Sequence, residues 1–370
     1  MHVSRSLFIA IVVGCTIGCQ QEPPFAAPEA PDRGAATASK PADNLPANPP
    51  PVVKPDNPPV QPSAPAKSAL NNNSIRELAA RLVEPAEGGS WRISESAALE
   101  LERLGPEATA QLLPLLSDEQ LEVRRGAAFH LLSSFDPKSP QQVAAFKQLL
   151  ADRDATVRNI GFQAVKELPP AEIAAASAEL TALLDPEHET KPENRAAVAR
   201  LAGTLGPRGA AFAPGLEKAA TSDTDERVRS AAVFAYCQIA SPPETAIPLL
   251  QKTLKDKQPA VRLVSAGRLR TLAAKAAPAA GDLGVALADE DDRVRLAASE
   301  ALARIGAPAL AALKIALESK DPNAKKLALA CLSSLGTAAK EVLPTIEKAQ
   351  SDPDKDISAA AKVLVERLKQ

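Results

Sequence analysis

Asp289–Gly306 reads Asp-Glu-Asp-Asp-Arg-Val-Arg-Leu-Ala-Ala-Ser-Glu-Ala-Leu-Ala-Arg-Ile-Gly. Val294, Ala297, Ala298, Ala301, Leu302 and Ile305 stand at 0, +3, +4, +7, +8 and +11 from the valine. That spacing is one apolar face of a helix with 3.6 residues per turn. An acid stands five residues before the valine, an arginine follows it directly, and a glycine closes the helix.

Aligned on the Val-Arg pair, the same pattern recurs as Ile93-Ser94, Val123-Arg124, Val157-Arg158, Asn194-Arg195, Val228-Arg229, Val261-Arg262, Val294-Arg295, Ala324-Lys325 and Ile357-Ser358. The spacings are 30 to 37 residues, the range of two-helix solenoid units. Asp118, Asp152, Glu189, Asp223, Asp256, Asp289 and Asp352 hold the acidic position. Gly105, Leu168, Gly206, Gly306 and Gly336 end helices, and glycine there suits a left-handed cap. Nine units are expected, over 74–105, 106–136, 137–169, 170–206, 207–241, 242–274, 275–306, 307–336 and 337–370. Each has a helix A followed by the Val-Arg helix B. Pro169-Pro170 and Pro242-Pro243 fall between units, where helices stop.

This pattern resembles HEAT repeats, and the short Ala-rich units look most like the bacterial HEAT-like set also called phycobilisome-lyase-type repeats. The resemblance covers about residues 74–370. It implies an all-α, right-handed α-α superhelix whose helix A is often kinked by a proline 13 residues before the valine. Pro248 and Pro344 stand there, Pro214 is one residue off, and Pro114, Pro278 and Pro308 are displaced by several. It also implies an Asp–Arg ladder between units. Asp118, Arg124, Asp152, Arg158, Arg195, Asp223, Arg229, Asp256, Arg262, Asp289 and Arg295 are assigned to it, because a guanidinium satisfies several acceptors in one plane. B helices would line the concave surface. Positions +2 and +9, opposite the core, are read as its centre, with phenylalanines at +5 or +6 beside them. Arg125, Phe129, Leu132, Phe162, Lys166, Arg200, Phe234, Leu263 and Arg270 are the candidate partner-binding residues. Exposed aromatics beside cations are the ingredients of interface hot spots. Seam-filling is the competing reading of each phenylalanine.

The first 70 residues differ in kind. Residues 1–19 carry a basic start (His2, Arg5), an apolar run Leu7–Gly14, then Cys15 and Cys19. The run is too short to span a bilayer and suits an export signal. Val12-Val13-Gly14-Cys15 resembles the bacterial lipobox, and Ile17-Gly18-Cys19 is a weaker alternative. That resemblance implies cleavage before the acylated cysteine and a membrane anchor. A plain cleaved signal, giving a secreted soluble protein, is the alternative. Residues 20–70 hold 14 of the 34 prolines. They have no apolar period, so they cannot bury enough surface to offset ordering. They are expected to be a disordered, extended tether, leaving 71–370 as the repeat domain.

Of 43 basic and 45 acidic residues, five of each fall in residues 1–70, leaving 38 against 40. Neither part has the basic excess that phosphate-backbone binding needs, so no nucleic-acid partner is expected. His2, His130 and His188 show no zinc spacing, and Cys237 and Cys331 lie in different helices. His130, at +7, is placed on the core face. Cys237, at +9, is a candidate for exposure with no cation adjacent in sequence. There is no nucleophile elbow and no phosphate-cradling glycine loop. The paired acids recur at helix starts, where they cap amides. No catalytic residue, metal, cofactor or small-molecule substrate is assigned. The expectation is a non-catalytic, membrane-anchored scaffold for an unknown protein partner, on the periplasmic or outer side of a bacterial membrane. The alternative is an enzyme or enzyme subunit of the bilin-lyase type.

Overall fold

The computed structural model describes residues 72–85 and 91–370. Cys15, Cys19 and the proline-rich stretch lie outside the described residues. The described part is an all-α solenoid with one short strand pair. In chain order the helices are α1 (Asn72–Leu82), α2 (Glu95–Leu104), α3 (Pro106–Leu112), α4 (Leu121–Ser133), α5 (Pro140–Leu149), α6 (Ala155–Val165), α7 (Pro170–Ala175) and α8 (Ser177–Ala182). They continue as α9 (Pro192–Thr204), α10 (Ala213–Ser222), α11 (Glu226–Ile239), α12 (Ile247–Thr253), α13 (Pro259–Leu272), α14 (Ala280–Ala286), α15 (Asp292–Ile305), α16 (Leu310–Leu317), α17 (Pro322–Leu335), α18 (Leu343–Ala349) and α19 (Lys355–Lys369).

From α4 onward the Val-Arg helices are α4, α6, α9, α11, α13, α15, α17 and α19, and, α9 apart, each packs on the A segment before it. The expected core positions are buried. In α15, Val294, Ala298, Ala301 and Leu302 have no exposed surface and Ile305 only 2%. Burying such side chains contributes roughly 25 cal/mol per Å² of apolar surface. Since many of them are alanines, close helix approach does much of the packing. A Cβ on Gly126 of α4 would lie 1.8 Å from the Ala79 carbonyl oxygen of α1, and one on Gly203 of α9 would lie 3.1 Å from Ala235 Cα of α11.

Most A segments are broken. A 3₁₀ turn precedes the α-helical part at Gly206–Phe212, Pro243–Ala246, Ala273–Ala279, Ala307–Ala309 and Gly336–Val342, and one follows α3 at Pro114–Ser117. Pro114, Pro214, Pro248 and Pro344 stand at these junctions, and Pro278 and Pro308 lie inside the 3₁₀ turns. The displaced prolines therefore mark the same break as the well-placed ones, because a missing N–H and the ring's bulk interrupt the ladder at either side of it.

Three expectations are corrected. The first Val-Arg pair is Ile75-Arg76 in α1, and Ile93 lies in a strand. Val83–Pro85 pairs antiparallel with Trp91–Ile93, Val83 opposite Ile93. Ile75 is 1% exposed, and α1 packs on α4 as one B helix packs on the next. The strand pair and α2 are thus inserted between the first B helix and the next A segment. Second, the closing glycines do not adopt the left-handed helical cap. Gly105 has φ 63°, ψ −145° and Gly306 has φ 84°, ψ −146°, a positive-φ extended region that is nearly glycine's alone. Ala273 holds the same place with φ 50°, ψ −129°. Third, +2 and +9 are not a uniform outer face of the B helices: Arg125, Ala196 and Gly203 are buried there, while Leu296, Lys326 and Lys166 are exposed.

Candidate interaction face

The exposed strip of each B helix is set by what packs on either side of it. Most B helices lie on their A segment and beside other B helices, and in several units this turns the +2 direction toward a neighbour. Arg125 and Ala196 at +2 and Gly203 at +9 are buried. At +10, Ser133, Glu167, Thr204, Gln238, Thr271, Arg304, Ser334 and Arg367 are all exposed. Most residues at −1 are exposed too, among them Glu122, Arg227, Arg293 and Asn323. Position +6 lies next to −1 on the helix wheel, about 20° further round on the side away from +10, and carries Phe129, Gln163, Arg200, Phe234, Gly267, Glu300, Ala330 and Val363.

The candidate residues fall into three groups. Arg200 and Lys166 are exposed, and Phe234 is 37% exposed at the middle of the strip. Phe129, Leu132, Leu263 and Arg270 are half-buried. Arg270 is ion-paired with Glu300. Arg125 and Phe162 are corrected to interior positions. Arg125 Nε donates to Asp154 at 3.0 Å, and Asp154 also caps α6 by accepting from Thr156 and Val157. Phe162, 5% exposed, joins Val165, Leu168, Ile173 and Leu180 in the core across the boundary between units.

Arg268 escaped the sequence reading. Its guanidinium lies 3.6 Å from the centroid of the Phe234 ring. The signal was present: +7 is apolar in most B helices (Ala164, Ala235, Ala301, Cys331), and an arginine there cannot be core without a partner. Burial lowers the Arg268 pKa, and only the Cys237 thiol opposes it. Burial likewise pushes Cys237 up to about 11, with Arg268 working weakly the other way. Cys237 is therefore half-buried and protonated at neutral pH. Cys331 is buried, also near 11, and donates to the Ser299 carbonyl at 3.3 Å. His130 is half-buried, and burial lowers its pKa.

The charges that recur in one register along the chain are used up between units. Arg195 Nε and Nη2 donate to Asp223 at 2.7 and 2.8 Å, while Nη1 donates to the Glu189 carbonyl of its own turn at 2.8 Å. Arg124 with Asp152, Arg229 with Asp256 and Arg262 with Asp289 repeat this arrangement. Arg76 with Asp118 adds a rung at the start, and Lys325 with Asp352 one near the end. Each Asp also accepts the backbone N–H two residues on, as Asp223 does from Asp225. With so many acceptors per guanidinium, the desolvation of both charges is offset. Two rungs differ. Arg158 lies 4.0 Å from Glu189. Arg295 finds Ser319 where an Asp is needed and turns to Asp292 of its own helix.

Among the described residues no group of His, Cys, Asp and Glu is arranged to hold a metal ion. No helix there is long and apolar enough to cross a membrane.

A family model described as HEAT repeats matches residues 213–283 and 282–365. Residues 213–365 are therefore similar to HEAT repeats. They span α10 to α19, and the same rung geometry runs back through α9, α4 and α1. No curated protein matches the sequence. Among solved structures, the Escherichia coli protein YibA is similar at 18% identity, with 75% of this chain and 98% of that one covered and a TM-score of 0.39. A chain of the Kap95p–RanGDP structure aligns at 14% identity over 81% of this chain and 50% of its own, TM-score 0.33. A chain from a structure of the cadherin–β-catenin interaction aligns at 15% over 75% and 68%, TM-score 0.41.

Proposed function

We propose that this protein is a non-catalytic scaffold that holds another protein on the B-helix strip, and that it is carried at a bacterial membrane by a lipid on Cys15. The observation that carries the docking part is Phe234, an exposed ring at the centre of a strip whose neighbours on both sides are B helices in the same register. A few residues, enriched in aromatic and arginine side chains, carry most of the binding energy in protein interfaces. HEAT-type arrays present such extended faces because each repeat touches only its neighbours. The rung arginines contribute no docking surface, since their donors are spent inside the array.

The test is crosslinking in cells with the full chain, comparing wild type with a Phe234→Ala, Arg200→Glu double variant. The wild type should capture a partner that the variant loses. Equal capture by both would remove the strip from consideration. Anchoring is supported by Val12-Val13-Gly14-Cys15 and by the proline-rich stretch after it, which suits a spacer. Growth with an alkyne fatty acid should label the wild type and not Cys15→Ser. Labelling lost only in Cys19→Ser would move the anchor, and an unlabelled wild type would remove it. Export to the periplasmic or outer side belongs to the same proposal.

A further inference from the structure

We propose that the strip around α11 and α13 binds a protein segment in which a carboxylate side chain stands next to a large apolar one, the carboxylate on Arg268 and the apolar group in the notch at Gly267 beside Phe234. This rests on the reading of the B-helix strip as a docking face.

Three observations select that chemistry. The first is the state of Arg268. Stacking on Phe234 uses the flat face of the guanidinium and none of its five N–H donors. Among the described residues no carboxylate pairs with it, whereas Arg293 on the same strip is held by Asp291 and Arg270 by Glu300. A half-buried cation without an acceptor calls for one from outside, and a carboxylate fits the guanidinium fork in a bidentate manner. The downward pKa shift of Arg268 agrees, since no acid is near enough to oppose burial.

The second is Gly267. It directly precedes Arg268, in the interior of a helix, where glycine weakens the helix relative to alanine. A Cβ there would meet nothing within 4 Å, so no packing inside the array requires the glycine. It leaves a notch at +6, in the row that carries Phe234 on α11. An apolar side chain resting there is bounded by the ring. The third is charge in the row. Arg200, at +6 on α9, is exposed on the other side of Phe234. The strip also carries Glu122, Glu167, Glu193 and Glu300, which repel a continuous polyanion but leave a local acidic side chain free to choose Arg268 or Arg200. A peptide is therefore favoured over a nucleic acid or an anionic lipid surface.

The full chain is used to select binders from a displayed library of random peptides. Enriched peptides should pair Asp or Glu with Leu, Ile, Phe or Trp. Their binding should weaken roughly tenfold or more on Arg268→Gln, as expected for a lost charge-assisted bidentate contact, and also on Gly267→Leu, which fills the notch from a Cβ that meets nothing in the array. Arg268→Lys should restore part of the loss, keeping charge without the fork. Enriched peptides that lack acids, or that ignore both substitutions, would overturn this proposal. If those peptides then lose binding on Phe129→Ala or Arg304→Ala, the strip remains the docking face and only this pocket falls. Loss on Ile315→Ser alone, on the outer side of an A helix, or no enrichment at all, would sink both. Competition by a DNA duplex as strong as by peptide would also overturn it, in favour of polyanion binding.

Discussion

Ala273 sits where Gly105, Gly206, Gly306 and Gly336 sit in other units, with φ 50°. A side chain at such φ costs on the order of 1–3 kcal/mol, more than the extra unfolded-state entropy of glycine, about 0.5–1 kcal/mol. Ala273→Gly should therefore raise the calorimetric melting temperature by a few degrees; an unchanged or lower value would show that Ala273 is relaxed there. A second effect at this scale is pH. Arg227's hydrogen bond holds Asp225 down at about 2, and Arg76's hydrogen bond lowers Asp118. At Asp256 burial pulls the pKa up, but the Arg229 hydrogen bond and the Gln258 amide more than reverse it. These folded pKa values lie below the unfolded ones near 4. Their stabilisation is present above about pH 4 and is lost as pH falls toward 2. His130 adds a term of the same sign higher up, because its buried imidazole resists protonation once pH falls below about 6.5. Melting temperature should fall gently below that pH and steeply below 4. In His130→Gln the gentle part should vanish; its persistence would assign it elsewhere.

At the scale of helices, the rungs differ enough to be ranked. Arg195 is 2% and Asp223 6% exposed. Removing one partner of so buried a pair costs about 3–5 kcal/mol. Arg158, 4.0 Å from Glu189 with its Nε making no hydrogen bond, has less to lose. Denaturant titration should show Arg195→Ala, and Arg229→Ala with it, well below Arg158→Ala in stability; equal losses would mean that the rungs contribute through packing alone. Glycines separate in the same way. Gly126→Ala forces a Cβ against the Ala79 backbone and should destabilise by about 1–3 kcal/mol or more, whereas Gly267→Ala should gain up to about 1 kcal/mol as a helix interior position.

Much of this was legible because it is local. Val294 to Ile305 declare a helix by spacing alone, and Asp289 with Arg295 declare a turn. Ile75-Arg76 was missed because Leu70 stands where the acid is expected and a strand pair interrupts the period after it. Arg125 was placed outward because a helix wheel knows its own core and not the helices beside it. Asp154, the residue that takes Arg125, lies 29 positions away. Arg268 was readable as an apolar position holding a charge, but its ring partner 34 residues earlier was not.

In the whole array, the boundary between α6 and α9 is the loosest. α9 packs closely on α11 but scarcely approaches α6. The loop from Leu183 to Lys191 is the longest between an A segment and its B helix from α4 onward. A cavity of about 10 Å³ lies there among Arg158, Phe162, Glu189 and Val198. Phe162, Val165 and Leu168 belong to the apolar core that continues through this boundary. Since stability in such arrays is a sum of unit and boundary terms, opening should begin here. Hydrogen exchange should be faster in the first turn of α9 than in the first turns of α11 or α13, and equal rates would show the boundary to be as firm as its neighbours.

The rungs also give the array a direction. In every rung that joins two units the cation comes from the unit nearer the N-terminus and the carboxylate from the unit after it. The two cut ends of such an array are unlike. Shortening from the C-terminal side strands a guanidinium among helix ends, and shortening from the N-terminal side strands a carboxylate that still accepts a backbone N–H. A fragment cut between two units therefore carries a donor end and an acceptor end, and two such fragments can join only head to tail.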